Sequence, residues 1–277
     1  MTTNTTRRRL LGGVAAGATA TLAGCSGMTP FVGQQLATSE TMTADDVDAL
    51  RIYGDAGDIT VLGGNRDEIT VDVEKQSSSI RTDLENLELG TERTDGVLEL
   101  RSEWDGSEGW LRDRPSMTLE IDAPREVALE SIQTSVGRVT VRDVAGDLRI
   151  DTSTGRVDVA DVDGGVGAST STGRVEIRDV ERLDDVSTST GRVEADVPAI
   201  DGDTTISTST GRIEVAIDPD LDAELRVGTS TGRIEVSGLG ITDETRGDDV
   251  LTGTLGDGGP TLRLETDTGR IDVRALE

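Results

Sequence analysis

The sequence predicts an all-β fold: a single-stranded β-solenoid (β-helix) with rungs of about 18 residues, preceded by a less regular β region. The first observation is a repeat. The pair Gly-Arg recurs with its arginine at Arg138, Arg156, Arg174, Arg192, Arg212, Arg233 and Arg270, in steps of 18, 18, 18, 20, 21 and 37. The second is alternation. Apolar residues stand one and three places after the arginine (Val157 and Val159, Val175 and Ile177, Ile213 and Val215), and a second alternating run such as Leu148-Arg149-Ile150 precedes the next arginine. Period two in short β-branched runs is a strand signal. The third is punctuation, with Gly in each Gly-Arg pair and Asp between runs marking the turns.

The first element, residues 1–24, reads as an export signal. Thr6-Arg7-Arg8-Arg9-Leu10-Leu11 opens an apolar, small-residue stretch that ends at Leu22-Ala23-Gly24-Cys25. It is too short and too glycine-rich for a stable transmembrane span. The arginines Arg7 and Arg8 before Leu-Leu resemble a twin-arginine signal, and the residues before Cys25 resemble a lipobox, in which the cysteine thiol receives lipid after cleavage. Cys25 is the one cysteine in the chain, so no internal disulfide competes for it. The expectation is an exported protein anchored by lipid on Cys25 to the outer face of the cell membrane. Loss of residues 1–24 removes three arginines and no acid, moving the formal charge from −27 to −30.

Residues 25–47 follow as the lipidated cysteine and a flexible tether, rich in Thr, Ser, Gly and Gln. Residues 48–131 form the irregular N-terminal β region and cap. Leu50-Arg51-Ile52-Tyr53 and Ile59-Thr60-Val61 flank a turn as a hairpin or first rung, and Ile69 to Val73 alternates. Ile80, Leu84 and Leu87 have the spacing of one short helix. Trp104 and Trp110 flank a polar loop, as a cover for one end of the core or as an aromatic contact for carbohydrate.

Residues 132–277 are the solenoid repeats. A single rung cannot bury its apolar face, but a stack shares one core, and each of about five apolar side chains contributes roughly 1.5–3 kcal/mol. The last step of 37 reads as two periods, one rung lacking the signature. Alternation carried on from Ile150 puts Thr152 and Thr154 inward, with Thr170 and Thr172, as ladders whose hydroxyls bond along the stack. Ser153, Ser171, Ser189, Ser209 and Ser230 then face out. The outward arginines are a candidate ligand-facing ladder. An acid stands two places after each of them from Arg156 on: Asp158, Glu176, Glu194, Glu214, Glu235 and Asp272. At a rung spacing of about 4.8 Å in water, repulsion along the two ladders is about 1.7 kcal/mol per rung and attraction between them about 1.6. The ladders nearly cancel, so they read as a neutralised surface before they read as an anion site.

Composition excludes several functions. There are 54 acidic and 27 basic residues and no histidine. Without histidine there is no Ser-His-Asp or Cys-His catalysis and no imidazole metal ligand, and one cysteine cannot make a thiolate cage. So negative a chain is a poor partner for nucleic acid. No cofactor and no metal are expected. The acidic, lysine-poor, threonine-rich make-up resembles proteins of salt-loving archaea, whose brine screens such charge over about 3 Å at 1 M.

Together, the Leu119-Glu120-Ile121-Asp122-Ala123-Pro124 segment, the serial Thr-Ser-x-Gly-Arg-Val/Ile turns and the ending Gly256-Asp257-Gly258-Gly259-Pro260 before Gly269-Arg270-Ile271 resemble the β-strand-repeat family called "putative adhesins", related to auto-transporter adhesin head domains. The resemblance covers about residues 48–277. Many members carry Asp where this chain has Arg after the turn glycine. The resemblance implies a solenoid without established catalytic residues, and so a non-enzymatic surface protein that binds envelope glycan or a surface-layer protein. The alternatives are a regulatory or sensor lipoprotein acting through a membrane partner, and an enzyme acting on acidic polysaccharide with carboxylates and arginines alone. The last needs an asymmetric cluster that breaks the repeat, and none is legible. The pattern leaves handedness and oligomeric state open.

Overall fold

The computed structural model describes residues 33–80, 82–105 and 115–276. Its strands are β1 (Gln34–Thr43), β2 (Ala49–Tyr53), β3 (Ile59–Gly64), β4 (Glu68–Ser77), β5 (Leu87–Thr94), β6 (Val97–Trp104), β7 (Ser116–Pro124), β8 (Ala128–Ala145), β9 (Leu148–Val197), β10 (Thr204–Ile217), β11 (Ala223–Ser237), β12 (Ile241–Arg246), β13 (Val250–Leu255) and β14 (Thr261–Ala275). All belong to one continuous sheet, wound into a β-solenoid.

Each rung has two straight runs, which stack into two walls around the core. In β8 and β9 the first wall pairs Ile132 with Ile150 and Thr134 with Thr152; the second pairs Val139 with Val157 and Val141 with Val159, all parallel and in register. Inward residues are nearly inaccessible: Ile150, Val157, Val175, Val193 and Ile213 are 0 % exposed. Glycine builds the corner between the walls. Gly57, Gly137, Gly155, Gly173, Gly191, Gly211, Gly269 and Gly232 stand in one column, and a Cβ on Gly155, Gly173, Gly191, Gly211, Gly269 or Gly232 would lie 1.7 Å from the carbonyl oxygen of the glycine before it in the column. No side chain fits there. Beyond the second wall, Asp143, Asp161 and Asp179 take φ of 56°, 58° and 51°. Aspartate tolerates that left-handed conformation better than most residues, which is why Asp punctuates the repeat.

The corner corrects one sequence expectation. Thr152 and Thr170 point inward, but Thr154 and Thr172 are exposed. Alternation breaks just before the glycine, where the adjacent residues Ser153 and Thr154 (and Ser171 and Thr172) both face out, so inward parity does not carry into the corner. The buried column Thr134, Thr152, Thr170, Thr188, Thr208, Thr266 and Thr229 is real, but its hydroxyls do not bond to one another. The Oγ1 atoms of Thr152, Thr188, Thr208, Thr229 and Thr266 have no hydrogen-bond partner. Like rotamers repeat at the strand spacing of about 4.8 Å, too far for a direct hydrogen bond.

Stacking does not follow the chain at either end. The spatial order is β8, β9, β10, β14, β11. β14 pairs on one side with β10 (Arg270 opposite Arg212) and on the other with β11 (Arg270 opposite Arg233). The step of 37 therefore holds no unsigned rung. Residues 241–255 leave the stack as the antiparallel pair β12–β13, which covers the first-wall half of β11, and the chain then returns to insert its last rung. The N-terminal end is similar. β2 and β3 form a rung directly on β8, β6 and β7 stack parallel outside it, and β4 and β5 close the end antiparallel.

Two local expectations change here. The tether over 25–47 is shorter than its composition suggests, because β1 pairs antiparallel with β4 from Gln34 to Thr43. Most of β1 is exposed, so the backbone ladder holds it and no apolar pattern announces it. The short helix is one 3-10 turn, Leu84–Asn86, whose first turn is held by Asp83 Oδ1 accepting from the Glu85 N–H at 3.1 Å. Leu84 and Leu87 are buried while Ile80 is 70 % exposed, so that triad does not share a face. No helix among the described residues is long and apolar enough to cross a membrane.

Candidate functional site

The second wall carries the charge ladders. In space the arginines run Arg138, Arg156, Arg174, Arg192, Arg212, Arg270, Arg233, so the inserted strand puts Arg270 between two candidates that are consecutive in sequence. Asp58 heads the column, its Oδ1 accepting from the Arg138 N–H at 2.8 Å. The acids run beside them in the same register.

The two ladders are tied together. Arg156 Nε lies 2.7 Å from Asp158, and its other end reaches Glu176 on the next rung at 3.1 Å. Arg174 bridges Glu176 at 3.2 Å and Glu194 at 2.5 Å. Arg192 pairs with Glu194 at 3.2 Å and Arg212 with Glu214 at 3.0 Å. Arg178, which the repeat signature does not flag, adds Glu176 at 2.5 Å and Glu194 at 3.6 Å. Towards the ends the pairs loosen, with Arg138 to Asp158 and Arg233 to Glu235 both at 4.0 Å and Arg270 to Glu235 at 3.8 Å. An arginine whose donors face a carboxylate on its own rung and another on the next has little left for an anionic ligand. Burial works to raise the Glu194 carboxyl, but hydrogen bonds from Arg174 and Arg192, with their charges, outweigh it and hold it below the usual range.

One acid is different. Asp272 stands in register between Glu214 and Glu235. Burial, with Glu235 and Glu214 beside it, raises its carboxyl above the ordinary value despite Arg270 and Arg212. A raised folded-state value means the ionised group opposes folding at neutral pH, and that cost disappears as pH falls through the folded value towards the unfolded one. We therefore expect Asp272→Asn to stabilise the fold at neutral pH by less than about 1 kcal/mol, because the site is partly solvated, and so to raise the melting temperature. The difference from the parent should close on acidification. Thermal melts of both proteins across the carboxylate range measure it.

The other sequence candidates are scattered. Trp104 ends β6 opposite Leu87 and packs half-buried on the core cluster, as a cover would. Cys25, Arg7, Arg8 and Trp110 lie outside the described residues. Among the described residues no group of three or more His, Cys, Asp or Glu side chains is placed to hold a metal ion. Missing from the sequence reading was any candidate site on the first wall, where Tyr53, the one tyrosine of the chain, meets the Arg101 guanidinium 4.0 Å from its ring centroid. The signal was present: Tyr53 alternates with the inward Ile52 and so must face out.

No family model and no curated protein matches the chain. Solved structures do resemble it. A "putative cell adhesion protein" from Clostridium sporogenes is 10% identical over 88% of this chain and 100% of its own, with a TM-score of 0.36. A "putative adhesin" from Bacteroides fragilis is 12% identical over 87% and 97%, at 0.36. A "putative lipid binding protein" from Parabacteroides distasonis is 13% identical over 87% and 97%, at 0.38.

Proposed function

We propose that this chain is a non-enzymatic surface protein, lipid-anchored through Cys25, whose solenoid displays its walls to other envelope components as an adhesin-like scaffold. The observation that carries the reading is the pairing of arginines and acids in register, rung after rung, without the asymmetric break that a catalytic pair of carboxylates requires. The surface repeats, as the surface of a partner for another repeating polymer would. The leader supplies the address. If the lipid is on Cys25, β1 begins at Gln34, nine residues on. Nine residues reach at most about 30 Å, so the end of the solenoid that β1 covers sits near the membrane and the hairpin β12–β13 points away.

Cys25→Ser tests the anchor. The variant should move from the membrane fraction, where detergent is needed to release it, to the soluble fraction, while its melting temperature stays that of the wild type. A variant that remains with the membrane sinks the lipid anchor. Saturable binding of the purified chain to isolated envelope and surface-layer fractions tests the scaffold, and absence of binding to every fraction overturns it.

A further inference from the structure

The outward face of the first wall holds a groove that the charge ladders do not use. Its head is a cavity of about 390 Å³ lined by Tyr53, Arg101, Gln133, Asp151, Ser153 and Ser169. Thr152, whose buried Oγ1 lacks a partner, also borders it. The depression continues through Ser169 into a second of about 240 Å³ past Ser187 and Ser207. The shape follows from register. Tyr53, Gln133, Asp151, Ser169, Ser187, Ser207 and Glu265 occupy equivalent positions on successive rungs, so small serines lie between a bulky head and Glu265. Five steps from Tyr53 to Ser207 at about 4.8 Å give a trough roughly 24 Å long, parallel to the solenoid axis.

Its chemistry is polar, with most charges beside it paired: Arg149 with Asp151 at 3.2 Å, Arg101 with Glu99 at 3.5 Å and Arg263 with Glu265 at 2.7 Å. Asp185 accepts from the Thr205 N–H at 2.8 Å and leaves the groove slightly negative. Backbone donors and acceptors are consumed by the sheet ladder, so an extended peptide finds no edge to pair with. What remains is a row of hydroxyls that both donate and accept, Ser187 already donating to Ser169 Oγ at 3.2 Å, together with the Gln133 amide and one aromatic ring held by an arginine. Hydroxyls beside an aromatic ring suit a polyhydroxylated ring, which is apolar on its face and polar at its rim; Arg101 covers one face of Tyr53, so contact falls to the part of the ring that lines the cavity. A chain charge of −27 disfavours a polyanion.

We propose that this groove binds one strand of a neutral polysaccharide along the solenoid axis, with a sugar ring against Tyr53 and its neighbours over the serine row. The proposal rests on the envelope-binding reading and names its ligand class and its site.

The test is binding of the full chain to neutral hexose oligosaccharides of graded length and, in parallel, to uronic-acid oligosaccharides of the same lengths. Affinity for the neutral series should rise with length and level off once the trough is filled. Tyr53→Ala, and Ser187→Tyr, which fills the trough from a surface position, should each weaken it by at least about tenfold. Ser207→Tyr serves should Ser187→Tyr fail to fold. Arg246→Ser on the β12–β13 hairpin should leave affinity unchanged. Binding confined to the uronic acids, binding indifferent to all groove variants, or loss in the ladder variant Arg192→Ser in their place would overturn the groove. If the neutral series does not bind while envelope fractions still do, the groove falls and the scaffold reading stands. If neither binds, both fall.

Discussion

Gly173→Ala is expected to remove a large part of the stability of the fold. The added Cβ would sit 1.7 Å from the Gly155 carbonyl oxygen and 2.8 Å from its carbon, inside contact distance for any pair of atoms. The obstacle is backbone, and it cannot swing aside. Gly155 is itself seated on Gly137, and Gly191 stands on Gly173 with the same 1.7 Å relation, so relief means separating rungs whose inward residues Val157, Val175 and Val193 are 0 % exposed. Opening that seam exposes core on both sides, and a cost above about 4 kcal/mol is expected, against a total stability of about 5–15. Gly228→Ala is the matched control. Nothing lies within 4 Å of its Cβ direction, and the change should stay within about 0.5 kcal/mol. Denaturant midpoints of the two variants decide the matter. A Gly173→Ala protein as stable as Gly228→Ala would mean that the rungs can part at the corner, and that the glycine column is not what fixes their spacing.

That column was legible in the sequence because steric exclusion leaves a residue-type signature. So was the core, since Ile150, Val157 and Val159 alternate within straight runs. What failed was inference across a boundary. Thr154 and Thr172 lie where alternation breaks, and nothing in residue type marks the break. β1 escaped because a strand held by its backbone on an exposed edge needs no apolar pattern. The order of the last rungs was hidden for the opposite reason. The rungs of β10, β11 and β14 share the same consensus, so any stacking order satisfies it equally. The candidate site divides similarly. The arginine ladder was visible as a repeat, whereas its pairing across rungs through Glu176 and Glu194 depends on rotamers. The groove depends on which rung stands beside which, since Tyr53 meets Gln133 only after a fold brings residues 80 apart into register.

The inserted rung makes the second large effect. Leu264 in β14 is 0 % exposed, with Ile206 of β10 on one side and Val227 of β11 on the other. Leu264→Asp puts a carboxylate into that row with no arginine inside the core to meet it. Burying an unpaired charge costs several kcal/mol, so β14 should leave its slot before the charge stays buried. Its departure removes a partner from both β10 and β11. Hydrogen exchange should then show protection lost in all three strands, around Ile206, Val227 and Leu264, although these positions are far apart in sequence. Rungs 128–178 should remain protected, since each rung of a stack leans only on its neighbours. Glu265→Lys, one residue on and facing out, should keep protection throughout. The measurement separates two topologies that share every residue. If β14 were the last rung, stacked on β11 with β11 on β10, the same substitution would release β14 and leave the amides between β10 and β11 protected. Retained protection there would overturn the inserted order, and with it the conclusion that the chain closes its own C-terminal end from within.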